Sequence, residues 1–151
     1  MTPHAPTPAW PPGCRVAIGL GCDRGTPLAT LERAVAEALA LAGVPLADVA
    51  AAGSIDLKAD EPALLALAAQ HGWPLTFYTA AHLATVTVPN PSETVRKYTG
   101  SPSVSEAAAL LAASANGEAL PTAALLVEKH KHRGADGRNA TVSVARYQLS
   151  R

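Results

Sequence analysis

The sequence reads as a layered α/β domain: a mostly parallel central sheet, flanking helices and a C-terminal antiparallel β-hairpin. Three patterns lead there. Short apolar runs end in glycine or polar residues and pass into segments of helical period, the strand–loop–helix signature of a parallel sheet. That unit occurs twice in the first half of the chain. The last third instead holds two strand-like runs around the glycine-bearing "RGADGR", which reads as a hairpin.

In chain order, "RVAIGLG" is a short apolar run closed by glycine, hence a buried strand over Val16–Leu20. Thr26-Pro27 follows as a helix start, with Thr26 as N-cap and Pro27 at the first helical position. Leu28, Leu31, Val35 and Leu39 recur at helical spacing until Gly43 stops the helix. A weaker strand over Val49–Ser54 runs into the polar loop Asp56–Asp60. There Asp60 is expected to cap a helix carrying Pro62 in its first turn, with Leu64, Leu65, Leu67 and Ala68 on the buried face. "PLTFYT" is a third strand, with a helical turn at Ala80–Leu83 behind it.

Residues 86–103, "VTVPNPSETVRKYTGSPS", read as a long loop of the kind that often carries function. Ser103 or Ser105 begins the helix "VSEAAALLAASA", which Asn116-Gly117 ends, and Ser103 with Glu106 three residues on forms a capping-box pattern. "AALLVEKHKH" and "NATVSVARY" are the two hairpin strands.

Composition narrows the function classes. Twelve basic and twelve acidic residues balance, so no global field draws nucleic acid. No apolar run nears the ~18 residues that cross a bilayer, so no membrane role is expected. The first 13 residues, "MTPHAPTPAWPPG", lack the basic start and apolar centre of a signal peptide and read as a flexible proline-rich tail before a domain spanning 14–151. Cytoplasm is the expected location. The two cysteines, Cys14 and Cys22, flank the first strand and would lie about 26 Å apart at roughly 3.3 Å per residue. A disulfide needs Cα atoms within about 7 Å, so none is expected between them, in keeping with a reducing compartment.

In open α/β sheets ligands bind beyond the carboxyl ends of the parallel strands. Three polar clusters fall there: Gly21–Thr26, Asp56–Glu61 and the Pro89–Ser103 loop. In the first, Gly21 and Gly25 would let backbone N–H groups approach an anion at a helix start, beside Arg24 and Thr26. The spacing matches neither a Walker loop nor a dinucleotide fingerprint, and a plain turn accounts for the glycines equally well. Asp23 would repel an anion. Cys22, near a helix start and beside Arg24, is a candidate nucleophile or a packing residue. Asp56 and Lys58 share a face if the strand extends that far, which suits acid–base work with Glu61, or a solvated loop. His130 and His132 would face one way on a strand without an evident third ligand, so no metal is expected. From Lys129 to Arg138 the cations Lys129, Lys131, Arg133 and Arg138 outnumber Asp136, as for a polyanionic ligand or a solvated hairpin tip.

The ordered motifs "GLGCDRGTP", "SIDLKADEPAL", "FYTAAHL", "VPNPSETVRKYTGSPSVSEAAALL" and "ATVSVAR" together resemble the CobE/CbiG C-terminal family of cobalamin biosynthesis, over about Arg15 to Arg146. "VPNPSETV" followed by "GSPSVSEAAAL" is the most specific part. The resemblance implies a protein that acts on or binds a precorrin, a tetrapyrrole intermediate, without a cofactor. Proteins of the CbiG type open a δ-lactone of cobalt-precorrin-5A and release acetaldehyde in the anaerobic branch. A stand-alone CobE-like member implies the aerobic branch. Arg24, Gly25 and Thr26 keep the family's pattern, and Asp56, Lys58, Glu61, Asn90, Ser92, Glu93, Gly100, Ser103, Glu106 and Lys129 stand at its other motif positions. With the reading of the loops, the candidates for catalysis are the clustered Asp56, Lys58 and Glu61, and those for the ligand are Gly21, Cys22, Arg24, Gly25, Thr26, Asn90, Ser92, Arg96, Gly100, Ser103, Glu106 and Lys129. The family commonly has a basic residue where Asp23 stands. Other enzymes of the corrin pathway are expected partners, and the Ala-rich helices suit a homodimer.

Overall fold

Alternation along the first strand, β1 (Val16–Cys22), sets the layout. Val16, Ile18 and Leu20 point to one face of the sheet and are fully buried; Ala17 and Gly19 point to the other. The computed structural model describes residues 15–88, 104–114 and 116–147. After β1 come α1 (Leu28–Ala42), β2 (Val49–Ile55), α2 (Pro62–His71), β3 (Leu75–Tyr78) and α3 (Ala80–Ala84). Then follow α4 (Val104–Ala112), β4 (Leu125–Arg133) and β5 (Asn139–Arg146).

The five strands form one sheet in the order β3-β2-β1-β5-β4. β1 pairs with β2, and β2 with β3, in parallel. β5 lies antiparallel to both β1 and β4, so it alone runs against the other four strands. The expected layered α/β architecture is therefore present, with the hairpin folded back so that its second strand fills the place beside β1.

α1 and α2 cover the face of Val16, Ile18 and Leu20, where Leu31, Val35, Leu39, Leu64, Leu67 and Val144 complete an aliphatic core. Burying each such side chain contributes about 1.5–3 kcal/mol. α4 covers the other face, and there the contact is made by small residues. A Cβ on Gly19 would strike the Ser105 carbonyl oxygen, and one on Gly53 would lie 3.1 Å from that of Ala108. Ala107, Ala108 and Ala109 are fully buried in this layer, and Ala108 and Ala109 lie over the two glycines through their backbone. A serine pair closes the seam, with Ser143 Oγ 2.9 Å from Ser105 Oγ.

Several local expectations change. β1 and β2 run on to Cys22 and Ile55, one or two residues beyond the expected ends. Thr26 is not the N-cap of α1: Pro27 holds that position in extended conformation without a side-chain cap. The Thr26 hydroxyl donates instead to the Asp23 carbonyl at 2.6 Å. Asp60 does not cap α2 either; Glu61 is the N-cap residue and Pro62 the first helical one. Leu65 is exposed, because α2 presents only Ala63, Leu64, Leu67 and Ala68 to the core. Gly43 ends α1 in the left-handed conformation, as expected. Residues 1–14 and 89–103, and with them the proline-rich tail, Cys14 and most of the long loop, lie outside the described residues.

Candidate functional site

Two of the three predicted clusters meet at the carboxyl ends of β1 and β2. Beyond Cys22, residues Asp23–Thr26 form a β-turn, with Thr26 N donating to Asp23 O at 3.2 Å. Gly25 is the third turn residue at φ 78°, the positive angle a type II turn demands there. The turn presents Arg24 towards the loop that follows β2, which forms a 3-10 turn over Asp56–Lys58.

Glu61 joins the two loops. Its side chain is only 2% exposed. One oxygen accepts the Gly25 backbone N–H at 2.9 Å, and the other accepts Arg24 Nη1 at 3.2 Å. The anion position offered by the glycine turn is thus filled by a carboxylate of the chain itself. A buried carboxylate needs this kind of paired, hydrogen-bonded surrounding. Arg24 Nη1 also contacts Asp60 Oδ1 at 2.6 Å, in the open, with side-chain exposures of 57% and 80%. Arg24 Nη2 donates to the Leu57 carbonyl at 2.5 Å. The Arg24 guanidinium holds the Asp60 carboxyl below its ordinary 3.8.

The β4–β5 hairpin brings a second guanidinium to the same place. Arg138 Nε donates to the Arg24 carbonyl at 3.0 Å, and its side chain lies over Gly25. Its Nη1 contacts Asp136 Oδ2 at 3.0 Å. The sequence shows Arg138 only as one cation of the hairpin tip. Its approach to Arg24 spans 114 positions, which no local pattern reports. Asp23, awkward in an anion loop, has a different task. Its carboxylate accepts the backbone and side-chain N–H groups of Asn139 at 2.8 and 3.3 Å. It points at the hairpin and ties the turn to β5.

Cys22 is half-buried at the end of β1 as a free thiol. Burial is the main influence on it and pushes the thiol above its ordinary 9.0, against an opposing pull from the charge of Lys58. That is the reverse of an activated nucleophile. Gly21 pairs with Thr141, and a Cβ there would meet only the Thr141 Cβ, at 3.9 Å. Asp56 is exposed and Lys58 half-buried. Cys22, Arg24, Gly25, Thr26, Lys58 and Glu61 are therefore gathered at one end of the sheet.

Glu106 is fully buried in α4, and Lys129 is half-buried on β4, two strands from β1. Asn90, Ser92, Arg96, Gly100 and Ser103 lie outside the described residues. His130 and His132 do share a face, towards α1. There Glu37 Oε1 lies 2.8 Å from His130 Nε2 and 3.4 Å from His132 Nδ1, and Arg33 holds the other Glu37 oxygen at 2.9 Å. This cluster fastens the edge strand β4 to α1. Among the described residues no group of three such side chains is arranged to hold a metal ion, and no helix is long and apolar enough to cross a membrane.

Comparison with known proteins places the chain in a family. Residues 16–145 match the family described as "Cobalamin synthesis G C-terminus". The chain is 41% identical over 101 residues to a cobalt-precorrin-5A hydrolase of Priestia megaterium, a match covering 67% of this chain and 27% of that protein. It is 43% identical over 103 residues to protein CobE of a Sinorhizobium species, covering 67% of each. Its fold matches the crystal structure of CobE, a protein from the cobalamin (vitamin B12) biosynthetic pathway, with a TM-score of 0.74 and 32% identity. That match covers 94% of this chain and 96% of the other. The chain belongs to the cobalamin synthesis G C-terminus family and is a cobalamin biosynthesis protein of the CobE/CbiG type.

Proposed function

We propose that this protein binds a precorrin-type tetrapyrrole at the carboxyl ends of β1 and β2, through the carboxylates that ring the macrocycle. The observation that carries this reading is the meeting of Arg24 and Arg138 around Gly25, in a member of a cobalamin biosynthesis family. Guanidinium groups present several N–H donors in a fixed fork that matches a carboxylate. Lys58, from the loop after β2, adds a cation on the β1 side of the site. A small domain of this design holds a labile intermediate and hands it to the enzymes of the corrin pathway. Titrating the purified protein with hydrogenobyrinic acid while following the corrin absorbance tests the proposal. A saturable spectral change at micromolar protein is the expected result; a spectrum identical to that of the free ligand would reject binding.

The similarity to a cobalt-precorrin-5A hydrolase supports a second reading, in which the same site hydrolyses the lactone of a precorrin. The exposed carboxylate of Asp56 would activate water, and Lys58 and Arg24, the latter held by Glu61, would stabilise the developing oxyanion. Incubation with the lactone-bearing intermediate separates the two readings. A product mass matching ring opening favours hydrolysis, whereas unchanged substrate mass leaves binding alone.

A further inference from the structure

Asp60 and Glu61 are neighbours in the chain and bond to the same nitrogen of Arg24, yet their surroundings are opposite. Glu61 is 2% exposed and also receives the Gly25 N–H, whereas Asp60 is 80% exposed. Glu61 is part of the packed junction between two loops and cannot leave without stranding a buried carboxylate. Asp60 holds Arg24 through a contact made in water, and such contacts are weak and readily exchanged.

We propose that Asp60 is an internal stand-in for a ligand carboxylate. It occupies Arg24 in the empty protein and yields that place when a polycarboxylate binds, while Glu61 keeps the guanidinium anchored. The tetrapyrrole reading supplies the identity of the natural ligand; the exchange itself rests only on the geometry around Arg24.

The donor arrangement sets up the exchange. Arg24 Nη1 carries two hydrogens, and Asp60 and Glu61 face that nitrogen at 2.6 and 3.2 Å. Nη2 gives one of its hydrogens to the Leu57 carbonyl. A carboxylate that approaches Nη1 must therefore displace the only one of these partners that is free to swing into solvent. Replacing one carboxylate by another on the same guanidinium changes little by itself, so a ligand with a single carboxylate gains almost nothing. A ligand with several carboxylates also reaches Nη2 of Arg138 beside Gly25 while Nη1 stays with Asp136, and that second contact drives the exchange. Asp60 thereby acts as a selectivity element: its charge discourages small anions and admits polycarboxylates.

Two measurements on the full chain test this, with circular dichroism melts confirming that each variant is folded. The first is the rate at which phenylglyoxal modifies Arg24, read from the mass of the Arg24 peptide, with and without citrate as the polycarboxylate probe. Asp60→Asn is expected to raise that rate about threefold, the scale of an exposed ion pair, and to lower by a similar factor the citrate concentration that protects Arg24. Equal rates and equal protection in the two proteins would overturn the proposal. The second is hydrogenobyrinic acid affinity, expected to rise about threefold in Asp60→Asn and to fall about tenfold in Arg24→Gln. Weakened binding in Arg24→Gln with no gain in Asp60→Asn would overturn the stand-in role and leave the tetrapyrrole reading intact. Absence of any hydrogenobyrinic acid signal in the unmodified protein would reject the tetrapyrrole reading instead, and the citrate arm would then decide the exchange.

Discussion

The two faces of the sheet are built from alternate residues of the same strands, and they are held in opposite ways. Towards α1 and α2, β1 offers Val16, Ile18 and Leu20, and the contact is an interlocking of branched side chains. Towards α4, β1 offers Ala17 and Gly19, and β2 offers Gly53, so backbone meets backbone. One face tolerates repacking because side chains can shift; the other does not, because a carbonyl oxygen of α4 occupies the space that a Cβ at Gly19 would take. The glycines of "GLGCDRG" therefore divide by task. Gly19 seats a helix and Gly25 makes a turn, while recognition in the proposed function falls to the side chains of Arg24 and Arg138.

The sharpest way to break this comparison is Gly19→Val. It is expected to cost more than about 3 kcal/mol, because it drives a side chain into the Ser105 carbonyl. A thermal melt near that of the unmodified protein would mean that α4 does not lie this close. Leu20→Ala, on the aliphatic face and fully buried, is expected to cost about 3 kcal/mol through lost burial and a cavity, with cooperative unfolding retained in urea. A smaller effect belongs to the α1–β4 tie. Hydrogen bonds from His130, and then Arg33, hold the Glu37 carboxyl below its ordinary 4.5. A carboxylate whose pKa is lower folded than unfolded stabilises the fold above the unfolded value and loses that contribution as pH falls through the folded one. Glu37→Gln should therefore lower Tm slightly at neutral pH, and the difference should shrink to nothing as pH drops below 4.5; a gap that widens in acid would invert the sign and refute the tie. The smallest effect is expected for Gly21→Ala, two residues from Gly19 on the same face. Its Cβ meets only Thr141, so stability should stay within about 0.5 kcal/mol. A large loss there would erase the distinction between the two glycines.

Local chemistry carried most of the fold. An apolar run closed by glycine located β1, a weaker one running into a polar loop located β2, the helical spacing of Leu31, Val35 and Leu39 located α1 with its Gly43 cap, and the turn-bearing "RGADGR" located the hairpin. Strand order did not follow, because the insertion of β5 between β1 and β4 depends on pairings far apart in sequence. Within the site, the convergence of the two loops was legible from the rule for parallel strands, and Arg24 and Glu61 both lie in it. The capping assignments failed at Thr26 and Asp60 for one reason. Each side chain is engaged away from the helix end: Thr26 with the Asp23 carbonyl, and Asp60 with a guanidinium 36 positions away. Asp23 was unreadable for the same reason, since its partner Asn139 belongs to the hairpin.

The claim on which the functional account rests is that the arginine pair at the carboxyl end of the sheet receives the tetrapyrrole carboxylates. The most direct measurement is calorimetric titration of hydrogenobyrinic acid into the unmodified protein and into Arg24→Gln/Arg138→Gln, with melting curves to confirm folding. Binding by the first and a loss of about tenfold or more in affinity by the second are expected. Equal affinities in two folded proteins would contradict it and move the binding site away from this end of the sheet.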